Sequence, residues 1–134
     1  MSEQQNVKIV QQIYADFGQG NIPGVLSALA DDVVWKQPPA GPSPLAGTYH
    51  GRGQVGEWFS KMDEVSEAES FEPREYIAQG DKVVALGYYR FLSKSTGKSW
   101  ESNWAMVWTF REGKVADFQF FGDTAAEAAA FAGA

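Results

Sequence analysis

Val83-Val84-Ala85-Leu86-Gly87-Tyr88-Tyr89-Arg90 and, one turn later, Asn103-Trp104-Ala105-Met106-Val107-Trp108-Thr109 decide the fold. Side chains alternate in size along both stretches, the period of a β-strand whose neighbouring residues point to opposite faces. The same period begins at Phe71 and is broken at Gly80-Asp81, at Ser95-Thr96-Gly97 and at Glu112-Gly113, so four strands form an antiparallel meander. A turn centred on Thr96 pairs Tyr88 with Trp104, Leu86 with Met106 and Val84 with Trp108, because cross-strand partners keep a constant number sum. Large side chains then share one face. The other face carries Ala85, Gly87, Ala105 and Val107, small enough for a second sheet to approach, which predicts a homodimer packed through the sheet.

In the last strand Phe118 and Phe120 alternate with Asp117 and Gln119. A three-residue turn at Gly113 sets both phenylalanines beside Trp108 and Met106, whereas a two-residue turn sets Asp117 there. The first register is expected, because an unpaired buried carboxylate is costly. The turn at Gly80-Asp81 places Ile77 opposite Val84 and Glu75 opposite Leu86, which makes Glu75 a candidate buried acid.

Ahead of the meander, Val7, Val10, Ile13, Tyr14 and Phe17 recur at helical spacing and stop at Gly18 and Gly20. Asn21 caps a second helix with Pro23 in its first turn and Ile22, Val25, Leu26 and Leu29 as its buried stripe. A brief strand, Val33 to Gln37, ends at Pro38-Pro39. Residues 38 to 47, rich in Pro and Gly, read as a surface loop long enough to reach over a cavity mouth. A third helix carries Val55, Trp58, Phe59, Met62 and Val65 inward and Asp63, Glu64, Glu67 and Glu69 outward. Thr124 and Glu127 have the spacing of a capping box, which predicts a short Ala-rich terminal helix.

The 134 residues make one domain, spanning 1–134, with 44% hydrophobic, 21% charged and 14% aromatic residues. Five Trp and nine Phe are more ring area than a domain of this size needs to close its interior, and rings commonly line ligand cavities. A net charge of -6 argues against nucleic-acid and membrane partners. The chain has no cysteine and one histidine, which excludes thiolate chemistry and multi-His or Cys-based metal sites, so no metal or cofactor is expected. The polar start and the absence of a long apolar run predict a cytoplasmic protein.

Three amphipathic helices, a short strand and then a curved antiparallel (mixed) sheet resemble the nuclear transport factor 2-like fold. That is an α+β architecture in which a cone-shaped barrel of sheet packs against three N-terminal helices. Ala30-Asp31-Asp32-Val33-Val34-Trp35, Ala46-Gly47-Thr48-Tyr49-His50-Gly51, Gly80-Asp81-Lys82-Val83-Val84 and Gly113-Lys114-Val115 are similar to the SnoaL-like and ketosteroid-isomerase-related group. The resemblance implies a small-molecule pocket and a choice of chemistries, since this fold hosts isomerases, cyclases, dehydratases, epoxide hydrolases and plain binders. It places Tyr14 at the hydrogen-bonding tyrosine of the steroid isomerases, but Gln37 at the base and Met106 at the second acid. An amide is no base and a thioether no donor, so steroid isomerase activity is not expected. The Asp-x-Arg pattern of the epoxide hydrolases is absent from every strand. The SnoaL-like cyclases use a pocket Asp, a part that Asp123 at the end of the last strand could serve, although it also immediately precedes the capping box.

The ligand-binding candidates are therefore Tyr14, Trp35, Gln37, His50, Trp58, Met62, Tyr88, Arg90, Trp104, Met106, Trp108, Phe118 and Phe120. The catalytic candidates are Glu75, Asp123 and Tyr14. Each also has a plainer role: Tyr14 as a packed ring, His50 as a solvated loop residue, Glu75 and Arg90 as an ion pair, Asp123 as a helix entry. Three functions fit. The first is a domain binding a small apolar or aromatic molecule; the second is an isomerase or polyketide-cyclase type of enzyme moving a proton beside a carbonyl; the third is a non-catalytic dimerisation domain.

Overall fold

A computed structural model of the chain describes residues 2–133. Helix α1 (Glu3–Gly18) opens on a capping box in which the Ser2 hydroxyl accepts from Gln5 N–H and the Gln5 side chain accepts from Ser2 N–H. Two of the donors that a helix start leaves open are thereby satisfied. Asn21 caps α2 (Ile22–Ser27) by accepting from Gly24 N–H at 3.1 Å. Strand β1 (Leu29–Gln37) follows, longer than expected at its start.

The loop over 38–46 is closed by β2 (Gly47–His50), which the sequence reading leaves in the loop and its exit. This strand is four residues long and pairs antiparallel with β1 through Trp35↔Tyr49 and Gln37↔Gly47. Helix α3 (Gly51–Val65) runs directly into β3 (Ser66–Gln79), so Glu67 and Glu69, expected on a helical face, lie on a strand. Then come β4 (Lys82–Ser93), β5 (Ser99–Arg111), β6 (Lys114–Phe121) and α4 (Thr124–Phe131). The strands form one curved, unclosed sheet in the order β2-β1-β6-β5-β4-β3, with β1 and β6 parallel and the other pairs antiparallel. Helices α1 and α3 pack into its concave side, and α4 closes one end against β5.

The β4–β5 hairpin corrects the expected register by one residue. Val83 faces Trp108, Ala85 faces Met106 and Gly87 faces Trp104, because Ser93 N–H bonds Lys98 O at 2.8 Å and the loop spans 94–97. A one-residue slip turns β4 over relative to β5. Tyr88, Arg90, Val84 and Leu86 therefore point outward. Ala85 and Gly87, expected at a dimer interface beside Ala105 and Val107, lie on the inner face instead. Packing decides it: a Cβ on Gly87 would lie 2.3 Å from Trp104 Cζ2 and 2.5 Å from Glu72 O. The Trp104 indole needs a missing side chain beneath it, so large rings sit over small residues.

Glu75 pairs with Leu86 and Ile77 with Val84, as the turn at Gly80-Asp81 predicts. Since Leu86 faces outward, Glu75 does too, and it is exposed rather than a buried acid. Phe118 and Phe120 do stand beside Trp108 and Met106. The device differs from the expected three-residue turn: Glu112 and Gly113 make a tight turn with positive φ, and a β-bulge between Thr109 and Phe110 restores the register. Asp117 is left on the outer face, where it pairs with Lys36 at 2.9 Å.

Candidate functional site

Between the concave face of the sheet and the helices lies a cavity of about 80 Å³. Three strands build one wall: Trp35 of β1 stacks on Phe118 of β6 at 3.9 Å and 19°, and Trp108 of β5 meets Phe118 at 4.6 Å. Helix α1 contributes Ile13, Tyr14 and Phe17; helix α3 contributes Trp58, Phe59 and Met62. Tyr89, Phe91, Trp100, Met106 and Phe120 continue the sheet wall, and Val25, Gln37, Leu45, Phe71 and Glu127 complete the lining. The volume corresponds to a few water molecules and is well below the roughly 300–1,000 Å³ of a drug-sized site. Met62 and Met106 are the lining side chains most easily displaced, being unbranched and flexible.

Polar groups are few. The Tyr14 hydroxyl accepts from Trp108 Nε1 at 3.1 Å and donates to Met106 Sδ at 3.1 Å. Burial pushes its pKa far above the ordinary phenol value, partly offset by the Trp108 bond, so Tyr14 stays a neutral donor. Its present acceptor, a thioether, is weak. Tyr89 accepts from Trp100 Nε1 at 3.3 Å, and burial likewise raises its pKa. The Nε1 of Trp35, a residue 3% exposed, has no partner among the described residues.

Among the described residues the one carboxylate on the cavity wall is Glu127 of α4, 9% exposed. Its Oε2 accepts from Ser43 Oγ at 2.5 Å, which ties the loop over 38–46 to the terminal helix. Burial raises its pKa and the Ser43 bond lowers it, with burial the larger effect. Ser43 is itself buried, and Trp58 Nε1 holds the same loop by donating to Leu45 O at 3.0 Å.

Of the residues singled out in the sequence, Tyr14, Trp35, Gln37, Trp58, Met62, Met106, Trp108, Phe118 and Phe120 line the cavity. Trp104 is buried on the same face but stands beside the cavity, stacked on Phe71 at 5.4 Å and 17°. Tyr88 and Arg90 lie outside: Tyr88 donates to Glu101 at 2.9 Å, and Arg90 bridges Glu69 at 3.1 Å and Glu101 at 3.2 Å. Arg90 and Glu75, expected together on the pocket face, thus share no ion pair and no pocket. His50 is exposed at the start of α3, its backbone N–H bonded to Gln54. Asp123 is exposed and caps α4, its side chain accepting from Ala126 N–H at 2.9 Å.

Of the lining residues outside the candidates drawn from the sequence, Glu127, Tyr89 and Trp100 are the ones with polar side-chain atoms. Tyr89 and Trp100 follow from the register once Gly87 is placed under Trp104. Glu127 follows from helical spacing, since Glu127, Ala130 and Phe131 form the buried stripe of α4. Taking Thr124 as the cap turned Glu127 into a capping-box residue; with Asp123 as the cap, it is free to face inward. Among the described residues no cluster of three His, Cys, Asp or Glu side chains is arranged to hold a metal, and no helix is long and apolar enough to cross a membrane.

The SnoaL-like domain family matches residues 10–118. Three crystal structures superpose over nearly the whole chain. An NTF2-like protein from Burkholderia xenovorans LB400 is 37% identical, with 97% of this chain and 98% of that one covered at a TM-score of 0.88. An NTF2-like protein of unknown function from Burkholderia pseudomallei K96243 is 32% identical, with 98% and 99% covered and a TM-score of 0.88. TerC, co-crystallized with polyporic acid, is 29% identical, with 94% and 97% covered and a TM-score of 0.82. No curated protein matches the sequence.

Proposed function

The chain belongs to the SnoaL-like domain family, and from that premise we propose that it binds a small apolar or aromatic molecule in the cavity between sheet and helices. One observation carries this reading: the cavity is walled largely by rings and thioethers, yet keeps three hydrogen-bond donors without a good acceptor, the Tyr14 and Tyr89 hydroxyls and Trp35 Nε1. Donors left so in an apolar interior favour a ligand that brings an acceptor. The co-crystal of TerC with polyporic acid supports an aromatic ligand class. Isothermal titration with polyporic acid and with phenol tests it. Saturable one-to-one binding is expected, lost in Met62→Trp, which drives an indole into the cavity. Absence of binding to the wild type, or binding that survives Met62→Trp, contradicts it.

A second reading, proton transfer of the isomerase or cyclase kind, is favoured by the buried carboxyl of Glu127. Glu75 and Asp123 are exposed and away from the cavity, so the base in this reading is Glu127 and the donor Tyr14. A third concerns assembly. On the outer face Val84, Leu86 and Val107 are half-buried and Ile77 and Phe121 are 55% and 53% exposed, an apolar surface that a second copy would cover. Sedimentation of the wild type as a dimer, and of Val107→Lys as a monomer, is the expected result.

A further inference from the structure

The two ends of the cavity offer a ligand different things. At the Tyr14 end the unmatched groups are donors. At the α4 end an acceptor is left short as well: Glu127 takes one hydrogen bond, from Ser43 Oγ to Oε2, and no other side chain among the described residues donates to it. A carboxylate can accept about four hydrogen bonds, and a buried one left short of them is disfavoured. The neighbouring indole donors are already engaged. Trp100 Nε1 is given to the Tyr89 hydroxyl, Trp108 Nε1 to the Tyr14 hydroxyl and Trp58 Nε1 to Leu45 O. No hydrogen bond joins Tyr89 to Glu127, although both line the cavity. The Tyr89 hydroxyl accepts from Trp100 and its own hydrogen has no acceptor among the described residues, so a ligand hydroxyl placed here meets one donor, Tyr89, and one acceptor, Glu127.

We infer that Glu127 selects among cavity ligands, favouring an aromatic ring that carries a hydroxyl, with the hydroxyl donating to the Glu127 carboxylate and the ring lying against Tyr89, Trp100 and Phe120. This rests on the cavity being a ligand site, as proposed above, and adds what the ligand must carry. Ser43 contributes by orienting the carboxylate: its hydroxyl occupies Oε2, which leaves Oε1 for the ligand. The selection is for a donor and not for polarity in general, because an ether oxygen in the same place can accept from Tyr89 but has no hydrogen for Glu127.

Phenol and anisole separate these cases, since they share a ring and differ in one O–H. By calorimetry at neutral pH the wild type binds phenol about tenfold more tightly than anisole, the effect of one further hydrogen bond. In Glu127→Met, which keeps the length of the side chain and removes its oxygens, the two affinities become similar while anisole binding is retained. Glu127→Gln, with one acceptor and no charge, shows an intermediate preference. Equal affinities in the wild type, or a preference for phenol undiminished in Glu127→Met, overturn the selection and leave the cavity reading standing. Failure of phenol, anisole and polyporic acid alike to bind the wild type removes the cavity reading, and the selection with it. If Glu127→Met does not fold, the wild-type comparison and Glu127→Gln decide alone.

Discussion

Both faces of strands β4 and β5 carry apolar side chains, but only one face is sealed. On the inner face Val83, Ala85, Trp104, Met106 and Trp108 are buried, whereas on the outer face Val84, Leu86, Ala105 and Val107 remain half-buried beside exposed Arg90 and Glu101. The difference does not follow from hydrophobicity, since Leu86 and Val84 outrank Ala85 and Gly87 in apolar area. It follows from fit. Trp104 on β5 needs a missing side chain opposite it and Met106 faces a small one, and β4 supplies Gly87 and Ala85 on the side that the helices cover.

Substitutions on the two faces sharpen this contrast. Trp108→Ala removes the central ring of the inner face, 1% exposed, together with the donor to Tyr14. It is expected to cost about 3–5 kcal/mol in chemical denaturation, the usual range for deleting a buried ring. Gly87→Val overpacks the Trp104 indole and the Glu72 carbonyl at once and is expected to cost about 3 kcal/mol, the upper part of the range for added methyl groups in a filled core. A cost below about 0.5 kcal/mol would mean that Trp104 does not lie over Gly87. On the outer face Glu75→Gln and Arg90→Gln are expected to stay within about 0.5 kcal/mol of the wild type, as exposed sites do. If either matched Gly87→Val, the assignment of the two faces would be reversed.

Between these extremes lies Glu127, an ionisable group on the sealed side. Its pKa in the folded protein is raised, so its protonated form favours the folded state. That contribution is fully present below the ordinary glutamate pKa of about 4.3 and is lost as pH rises through the raised folded value. Glu127→Gln has no proton to lose. The melting temperature of the variant relative to the wild type should therefore climb as pH rises from about 4.3 toward neutrality, and a difference independent of pH would contradict the burial of this carboxyl.

Much of the architecture was legible because period alone separates helices from strands. Val10, Ile13 and Tyr14 at helical spacing and the alternation in β4, β5 and β6 identify the elements and their order. Faces were less legible than elements, because a hairpin register turns on one residue: the loop over 94–97 was read as odd and is even, which sent Tyr88, Arg90 and Glu75 outward together. The β5–β6 corner shows the opposite case. There the physical objection to burying Asp117 selected the right pairing, although a bulge and not the turn achieves it. Short β2 carries too few residues to show a period. The cavity's aromatic wall was readable from residue type. Its carboxyl was not, since Glu127 lay inside a plausible capping motif and only the choice of Asp123 as cap frees it to face inward.

Indole N–H resonances offer the most direct test that the sealed face encloses a ligand site, because the chain has five tryptophans and they are placed differently. Trp35, Trp58, Trp100 and Trp108 line the cavity, while Trp104 is buried beside it and serves as an internal control. Titration of the isotopically labelled protein with phenol should shift the first four indole signals to saturation and move Trp104 least. Unmoved indoles, or shifts confined to the outer-face amides of Val84, Leu86 and Val107, would contradict the account.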